Sequence, residues 1–118
     1  MALKCDNKIV LEIGPGKGIL TKHLLKLPAK KIHAIEIDNE SVEFLQSNQI
    51  LQKPDLIEGD FLNLQINQLF LEPFILMGNF PYNISTQILF KVLEWKDDVE
   101  CVIGMFQKEV AERAASKE

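Results

Sequence analysis

The sequence predicts an α/β protein, a parallel sheet of five strands with helices on both faces. Apolar, β-branched runs of strand length alternate with stretches of helical periodicity along the 118 residues. That alternation calls for a parallel sheet whose crossovers cover both faces. A second observation concerns chemistry. Gly14, Glu36, Asp60 and Asn79 each fall at or just past the carboxyl end of a predicted strand, and ligands of such sheets bind along that rim, near the topological switch point.

Taken in order, Ile9-Val10-Leu11-Glu12-Ile13 reads as a buried strand. A helix follows from Ile19 to Leu27, with Leu20, Leu24 and Leu27 on one face and Pro28 ending it. The second strand is Ile32 to Ile37. Asp38 is placed to cap the next helix, whose Val42 and Leu45 face inward. Leu56 to Glu58 is a short third strand and Phe74 to Met77 a fourth, while 61–73 mixes apolar and polar residues too evenly to assign. Ile84 to Trp95 is a strong helix with Ile88, Leu89, Val92 and Leu93 expected on its core side. Cys101 to Phe106 is the fifth strand, leading into a final helix from about Gln107. No repeat, low-complexity tract or linker interrupts the pattern.

A chain of this size forms one domain, burying roughly two thirds of its unfolded surface. Hydrophobic content of 47% with 25% charged residues is that of a soluble globular protein. The longest apolar runs are strand-sized, short of the roughly 20 residues a membrane helix needs, and residues 1–6 lack the apolar stretch of a secretory signal. Cys5 and Cys101 show no metal-like spacing and suit a reduced, cytoplasmic protein better than a disulfide framework. A net charge of −4 argues against a globally basic nucleic-acid binder. The charge is unevenly spread, however: residues 1–31 hold seven lysines against Asp6 and Glu12, and 36–60 hold seven acids against Lys53. Solvated helix faces account for this, as does a basic lobe beside an acidic cofactor side.

In Gly14-Pro15-Gly16-Lys17-Gly18 the glycines let the backbone turn tightly and approach a ligand. A phosphate-gripping P-loop is excluded, because Lys17 is followed by Gly18 and Ile19 rather than Ser or Thr. The dinucleotide fingerprint needs its third glycine where Ile19 stands, so that signal is weak. Glu36 lies 22 residues after Gly14, the place from which a carboxylate hydrogen-bonds ribose hydroxyls. Asp60, just after the third strand, can accept from an adenine amino group, with Phe61 packing nearby. Glu12 sits inside an apolar strand, where an unpaired carboxylate is costly; its partner is either a backbone group or a cofactor ammonium. His23 and His33 stand on separate elements and read as surface or packing residues, so no metal site is expected.

Asn79-Phe80-Pro81-Tyr82 follows the fourth strand. It offers an amide acceptor, a backbone carbonyl and an aromatic face within one turn, a set suited to a planar base with an exocyclic amine such as adenine. Alone, the quartet is compatible with an ordinary strand-to-helix turn. Together with the glycine loop it suggests methyl transfer to nucleic acid.

With these residues in hand, the chain closely resembles the ribosomal RNA adenine dimethyltransferases. Val10 to Gly18 is similar to the family's S-adenosyl-L-methionine loop, Ile35-Glu36-Ile37-Asp38 to its ribose-binding strand end, and Glu58-Gly59-Asp60-Phe61 to its adenine-binding turn. Gly78 to Thr86 matches the catalytic motif, and Met105 to Ala111 resembles the segment typical of the small-subunit branch. The resemblance implies a Rossmann-like methyltransferase core, a cytoplasmic, monomeric enzyme acting on small-subunit (16S) ribosomal RNA in the 30S subunit, and no membrane partner. It implies cofactor contacts at Glu12, Gly14, Gly16, Gly18, Glu36, Asp60, Phe61 and Asn79. It also implies a catalytic set in which the Asn79 side chain and Phe80 carbonyl accept the adenine amino hydrogens, Pro81 restrains Phe80, and Tyr82 stacks on the base. Family members carry an N-terminal Gln-Asn-Phe-Leu-type segment, two further strands and a helical domain that this stretch does not match, so residues 1–118 are expected to be the cofactor-binding and catalytic core of a longer protein. A large-subunit rRNA or DNA adenine methyltransferase, and a non-catalytic RNA or DNA assembly factor, are the competing expectations.

Overall fold

The computed structural model describes residues 7–63, 70, 72–80, 82–95 and 97–106. Five strands, β1 (Ile9–Ile13), β2 (Lys31–Glu36), β3 (Leu56–Glu58), β4 (Phe74–Phe80) and β5 (Val99–Phe106), form one sheet in the order β3-β2-β1-β4-β5. Every neighbouring pair is parallel. The chain moves outward from β1 to β3, then returns to place β4 on the other side of β1. That reversal makes the carboxyl ends of β1 and β4 the topological switch point.

Strand alternation divides the core between the two faces. Val10, Ile32, Ile75 and Met77 pack with Leu24 of α1 (Ile19–Leu24), and Ala34 and Leu56 with Val42 and Leu45 of α2 (Asn39–Ser47). On the opposite face, Leu11, Ile35, Phe74 and Leu76 pack with Phe61 of a 3-10 turn (Phe61–Asn63) and Ile88 of α3 (Tyr82–Glu94). β1 is buried at all five positions, as a central parallel strand covered on both sides should be.

Several boundaries differ from expectation. Regular α-helix ends at Leu24, but tighter bonds from Lys26 N–H to His23 and from Leu27 N–H to Leu24 carry the winding on to Leu27. Leu20 and Leu27 therefore keep their place against the core. β2 closes at Glu36, leaving Ile37 66% exposed. Asp38 caps α2 as expected, its side chain accepting from Ser41 N–H at 3.0 Å. β4 runs three residues further than expected, so Asn79 and Phe80 are strand residues held against Met105 and Phe106 of β5 rather than part of a turn.

The core side of α3 is narrower than expected. Ile88 is buried and Val92 and Trp95 pack against the core, whereas Leu89 and Leu93 are 46% and 66% exposed. At 3.6 residues per turn, positions 88, 92 and 95 share a face, and 89 and 93 lie about 100° around from it. Residues 64–69, 71 and 73 fall in or around the unassigned stretch, of which 64–69 and 71 lie outside the described residues, as does the final helix expected from Gln107.

Candidate active site

Register brings the functional rim together. Ile13 lies opposite both Ile35 and Gly78, so Gly14, Glu36 and Asn79 occupy the next rung on three adjacent strands. Gly14 N–H donates to the Ile35 carbonyl at 2.9 Å, and Gly59 N–H to the Glu36 carbonyl at 2.9 Å, carrying the rung on to the turn that holds Asp60.

The glycine loop is a backbone cradle. Gly14 and Gly16 have φ of +64° and +57°, values that side-chain-bearing residues rarely adopt. A Cβ built on either meets nothing within 4 Å, so both faces open onto space for a ligand. Gly18 serves a different end. At φ +81° it caps α1, and a Cβ there would stand 2.9 Å from Leu45 Cδ2 and 3.1 Å from Ile50. It gives close approach to the core under α2 and lines neither of the two cavities at the rim.

Glu36, nearly buried, organises this loop. Its Oε1 accepts from Gly16 N–H at 2.9 Å, and its Oε2 from Ile37 and Asp38 N–H at 3.0 Å each. A carboxylate has about four acceptor positions, so about one remains for a ligand. Asp60 in turn accepts from Leu62 N–H at 3.0 Å, which holds the turn carrying Phe61. Phe61 is buried, its ring edge-on to Trp95 at 5.4 Å.

Two cavities flank the loop. One, of about 270 Å³, is bounded by Gly14, Glu36, Ile37, Asp60, Phe61 and Ile88 among others. Its acids stand beside apolar walls, which fits a nucleoside: hydroxyls toward Glu36, a flat base between aliphatic side chains. Ile37, Leu62 and Ile88 were not singled out in the sequence as part of it; the signal there was an isoleucine directly after the strand-end carboxylate. The second cavity, of about 490 Å³, is bounded by Glu12, Gly14, Pro15, Gly16, Lys17, Ile19, Leu20 and His23.

At the base of the second cavity Glu12 is 2% exposed and accepts a hydrogen bond from the Thr21 hydroxyl. Thr21, nine residues on and wholly buried, is a partner that strand periodicity gave no means of finding. Burial pushes the Glu12 carboxyl up to about 7; the Thr21 hydrogen bond works against that shift, and the charge of Glu36 adds to it. His33, on the same sheet but away from the rim, is held below the ordinary histidine range by burial, against the pull of Asp55 at 3.8 Å. The backbone of Asn79 and Phe80 closes β4 and Tyr82 opens α3. Pro81 lies outside the described residues. No group of three or more His, Cys, Asp or Glu among the described residues is placed to hold a metal ion, and no helix among them is long and apolar enough to cross a membrane.

A doubly wound parallel sheet with one ligand rim at its switch point puts the protein in the Rossmann-like α/β class. The chain belongs to the ribosomal RNA adenine dimethylase family, whose family model matches residues 2–118. It is 51% identical over 117 residues to the ribosomal RNA small subunit methyltransferase A of Cytophaga hutchinsonii, covering 99% of this chain and 45% of that protein. It is 53% identical over 109 residues to the protein of that name from Flavobacterium johnsoniae, covering 92% of this chain and 41% of the relative. The chain thus spans less than half the length of these curated relatives. Among solved structures it is similar to a dimethyladenosine transferase from Plasmodium falciparum, with TM-score 0.69 and 35% identity over 93% of this chain and 39% of that one. The 23S rRNA methyltransferase ErmE superposes with TM-score 0.70 at 29% identity, covering 98% of this chain and 45% of that one.

Proposed function

We propose that the protein transfers methyl groups from S-adenosyl-L-methionine to the N6 amino group of adenine in small-subunit (16S) ribosomal RNA, forming dimethyladenine, as a cytoplasmic and monomeric enzyme of ribosome biogenesis. Residues 1–118 act as its cofactor-binding and catalytic core. The observation that carries this reading is the shared rung of Gly14, Glu36 and Asn79, which sets an open glycine cradle, a strand-end carboxylate and the Asn79-Phe80 end of β4 side by side. The small-subunit relatives at 51% and 53% identity favour that RNA over the 23S substrate named for the more distant ErmE.

The residues present fit the cofactor. Gly14 and Gly16 leave backbone space for it, Glu36 keeps an acceptor for a ribose hydroxyl, and Asp60 faces the same cavity for an adenine amino group. A second ribose hydroxyl would have to share Glu36 with the N–H of Gly16. Glu12, which lines the neighbouring cavity, would pair with an ammonium group in its ionised form, and that cation would favour the ionised form.

When bound, S-adenosyl-L-methionine supplies an already activated methyl group, so the protein's task is the nucleophile. The lone pair of an adenine amine is delocalised into its ring. In the first transfer the Asn79 amide oxygen and the Phe80 carbonyl each accept one amino hydrogen, and in the second one of them accepts the hydrogen that remains, which localises the lone pair and aims it at the methyl group. The same acceptors stabilise the positive charge that methylation leaves on the base. Asn79 has no proton chemistry at neutral pH, so the proton leaves to water. Pro81 fixes its own φ and restrains Phe80 to an extended shape. Tyr82 stacks on the base, which must be unpaired or flipped out to reach it, a contact worth about 1–3 kcal/mol.

Transfer of labelled methyl groups to unmodified small subunits, large subunits and DNA in parallel tests the reading. Two methyl groups per target adenine on small subunits are expected. Labelling confined to large subunits or DNA would contradict it.

A further inference from the structure

Among the described residues Lys91 of α3 stands over the Trp95 ring at 4.8 Å, and the other lysines fall into two groups. Lys8, Lys30, Lys31 and Lys53 each meet a carboxylate, Glu100 at 2.9 Å, Glu72 at 2.7 Å, Asp55 at 3.1 Å and Glu58 at 3.3 Å respectively. Lys17, Lys22 and Lys26 have no carboxylate partner among the described residues, and all three are exposed. They follow one another from the glycine loop down α1 and its final turn, with Lys22 and Lys26 one helical turn apart. No acid occurs between Glu12 and Glu36, so nothing in this stretch offsets them.

Placement gives these charges a direction. α1 packs through Leu24 on Ile75 and Met77 of β4, the strand that ends in Asn79 and Phe80. The unpaired lysines therefore begin beside the rim where the target base is gripped. α2, beside α1 on the same face of the sheet, is acidic, with Asp38, Glu40 and Glu43 all exposed, and Lys17 stands over the Phe44 ring of α2 at 6.0 Å. A polyanion reaching this face is drawn to the lysines of α1 and kept off α2.

We infer that the outer side of α1 and its final turn, carrying Lys22 and Lys26 with Lys17 at the rim end, holds the phosphate backbone of the RNA strand flanking the target adenine. This rests on the functional reading given above. The contact is to phosphates and carries no base preference, so it sets the path of the strand and adds affinity without selecting the adenine.

The test is RNA affinity as a function of salt, using the full-length protein and a small-subunit rRNA fragment containing the methylated site. The Lys22→Gln/Lys26→Gln variant is compared with Lys8→Gln/Lys53→Gln, which changes net charge equally but removes lysines already paired with carboxylates. Two lost phosphate contacts should lower the slope of log affinity against log salt by about 1.5 and weaken binding roughly tenfold at physiological salt. The paired-lysine control should keep the wild-type slope, and S-adenosylhomocysteine affinity should be unchanged in both variants. Equal slopes in wild type and the Lys22/Lys26 variant would overturn the surface while leaving the functional reading intact. Wild-type protein that neither binds nor methylates the RNA would overturn both. Retained RNA affinity with lost binding to a poly-glutamate probe would assign the face to an acidic protein partner and overturn the inference.

Discussion

Gly16 donates its backbone N–H to Glu36 Oε1 at 2.9 Å, tying the loop after β1 to the end of β2. One carboxylate thereby shapes the glycine cradle and faces the nucleoside cavity. Glu36→Ala should weaken S-adenosylhomocysteine binding by roughly 1–3 kcal/mol, the scale of a hydrogen bond to a charged group. It should also speed amide hydrogen exchange at Gly16. Calorimetric affinity equal to wild type would remove Glu36 from the site.

The two kinds of glycine in the loop should separate by substitution. Gly18→Ala sets a Cβ at positive φ, 2.9 Å from a leucine that is itself fully buried, and should cost about 2 kcal/mol or more of stability. Gly16→Ala carries the backbone cost alone, about 1–2 kcal/mol, but projects into ligand space and should reduce cofactor affinity. Urea unfolding and calorimetry on the two variants check this. A Gly18→Ala protein more stable than Gly16→Ala would contradict the assignment of Gly18 to packing.

Glu12 makes stability depend on pH. Its folded-state value of about 7 stands above the ordinary 4.5, so the folded protein holds a proton that the unfolded chain releases. The stabilisation is fully present below about 4.5 and is lost as pH rises through about 7, a contribution on the order of 3 kcal/mol. Glu12→Gln should flatten the stability profile across this window, as read by urea unfolding at pH 5 and pH 8. A profile as steep in the variant as in wild type would place the titrating group elsewhere.

The sheet was legible because each strand is short, apolar and bounded, and because β1 is buried on both faces and so carries little but aliphatic residues. Gly14, Glu36, Asp60 and Asn79 were legible as a set because strand ends in a parallel sheet share one edge. What escaped depends on tertiary contact. The extra length of β4 comes from pairing with β5, which holds Asn79 and Phe80 extended beyond the apolar run. Leu89 and Leu93 carry the right chemistry for a core, but the register of α3 is set by Ile88, Val92 and Trp95. The Thr21 hydroxyl on Glu12, and the buried contacts that explain Gly18, join residues whose proximity no local periodicity encodes.

In the proposed reaction the end of β4 orients an adenine amine by hydrogen bonding, and Tyr82 holds the base by stacking. Single-turnover methylation of unmodified small ribosomal subunits by Asn79→Ala, Tyr82→Phe and Tyr82→Ala in the full-length protein measures it directly. Asn79→Ala should slow the chemical step heavily while cofactor affinity changes far less. Tyr82→Phe should stay substantially active, since the stacking face survives, and Tyr82→Ala should lose most activity. An Asn79→Ala enzyme with an undiminished chemical step, or equal and severe loss in Tyr82→Phe and Tyr82→Ala, would contradict the account.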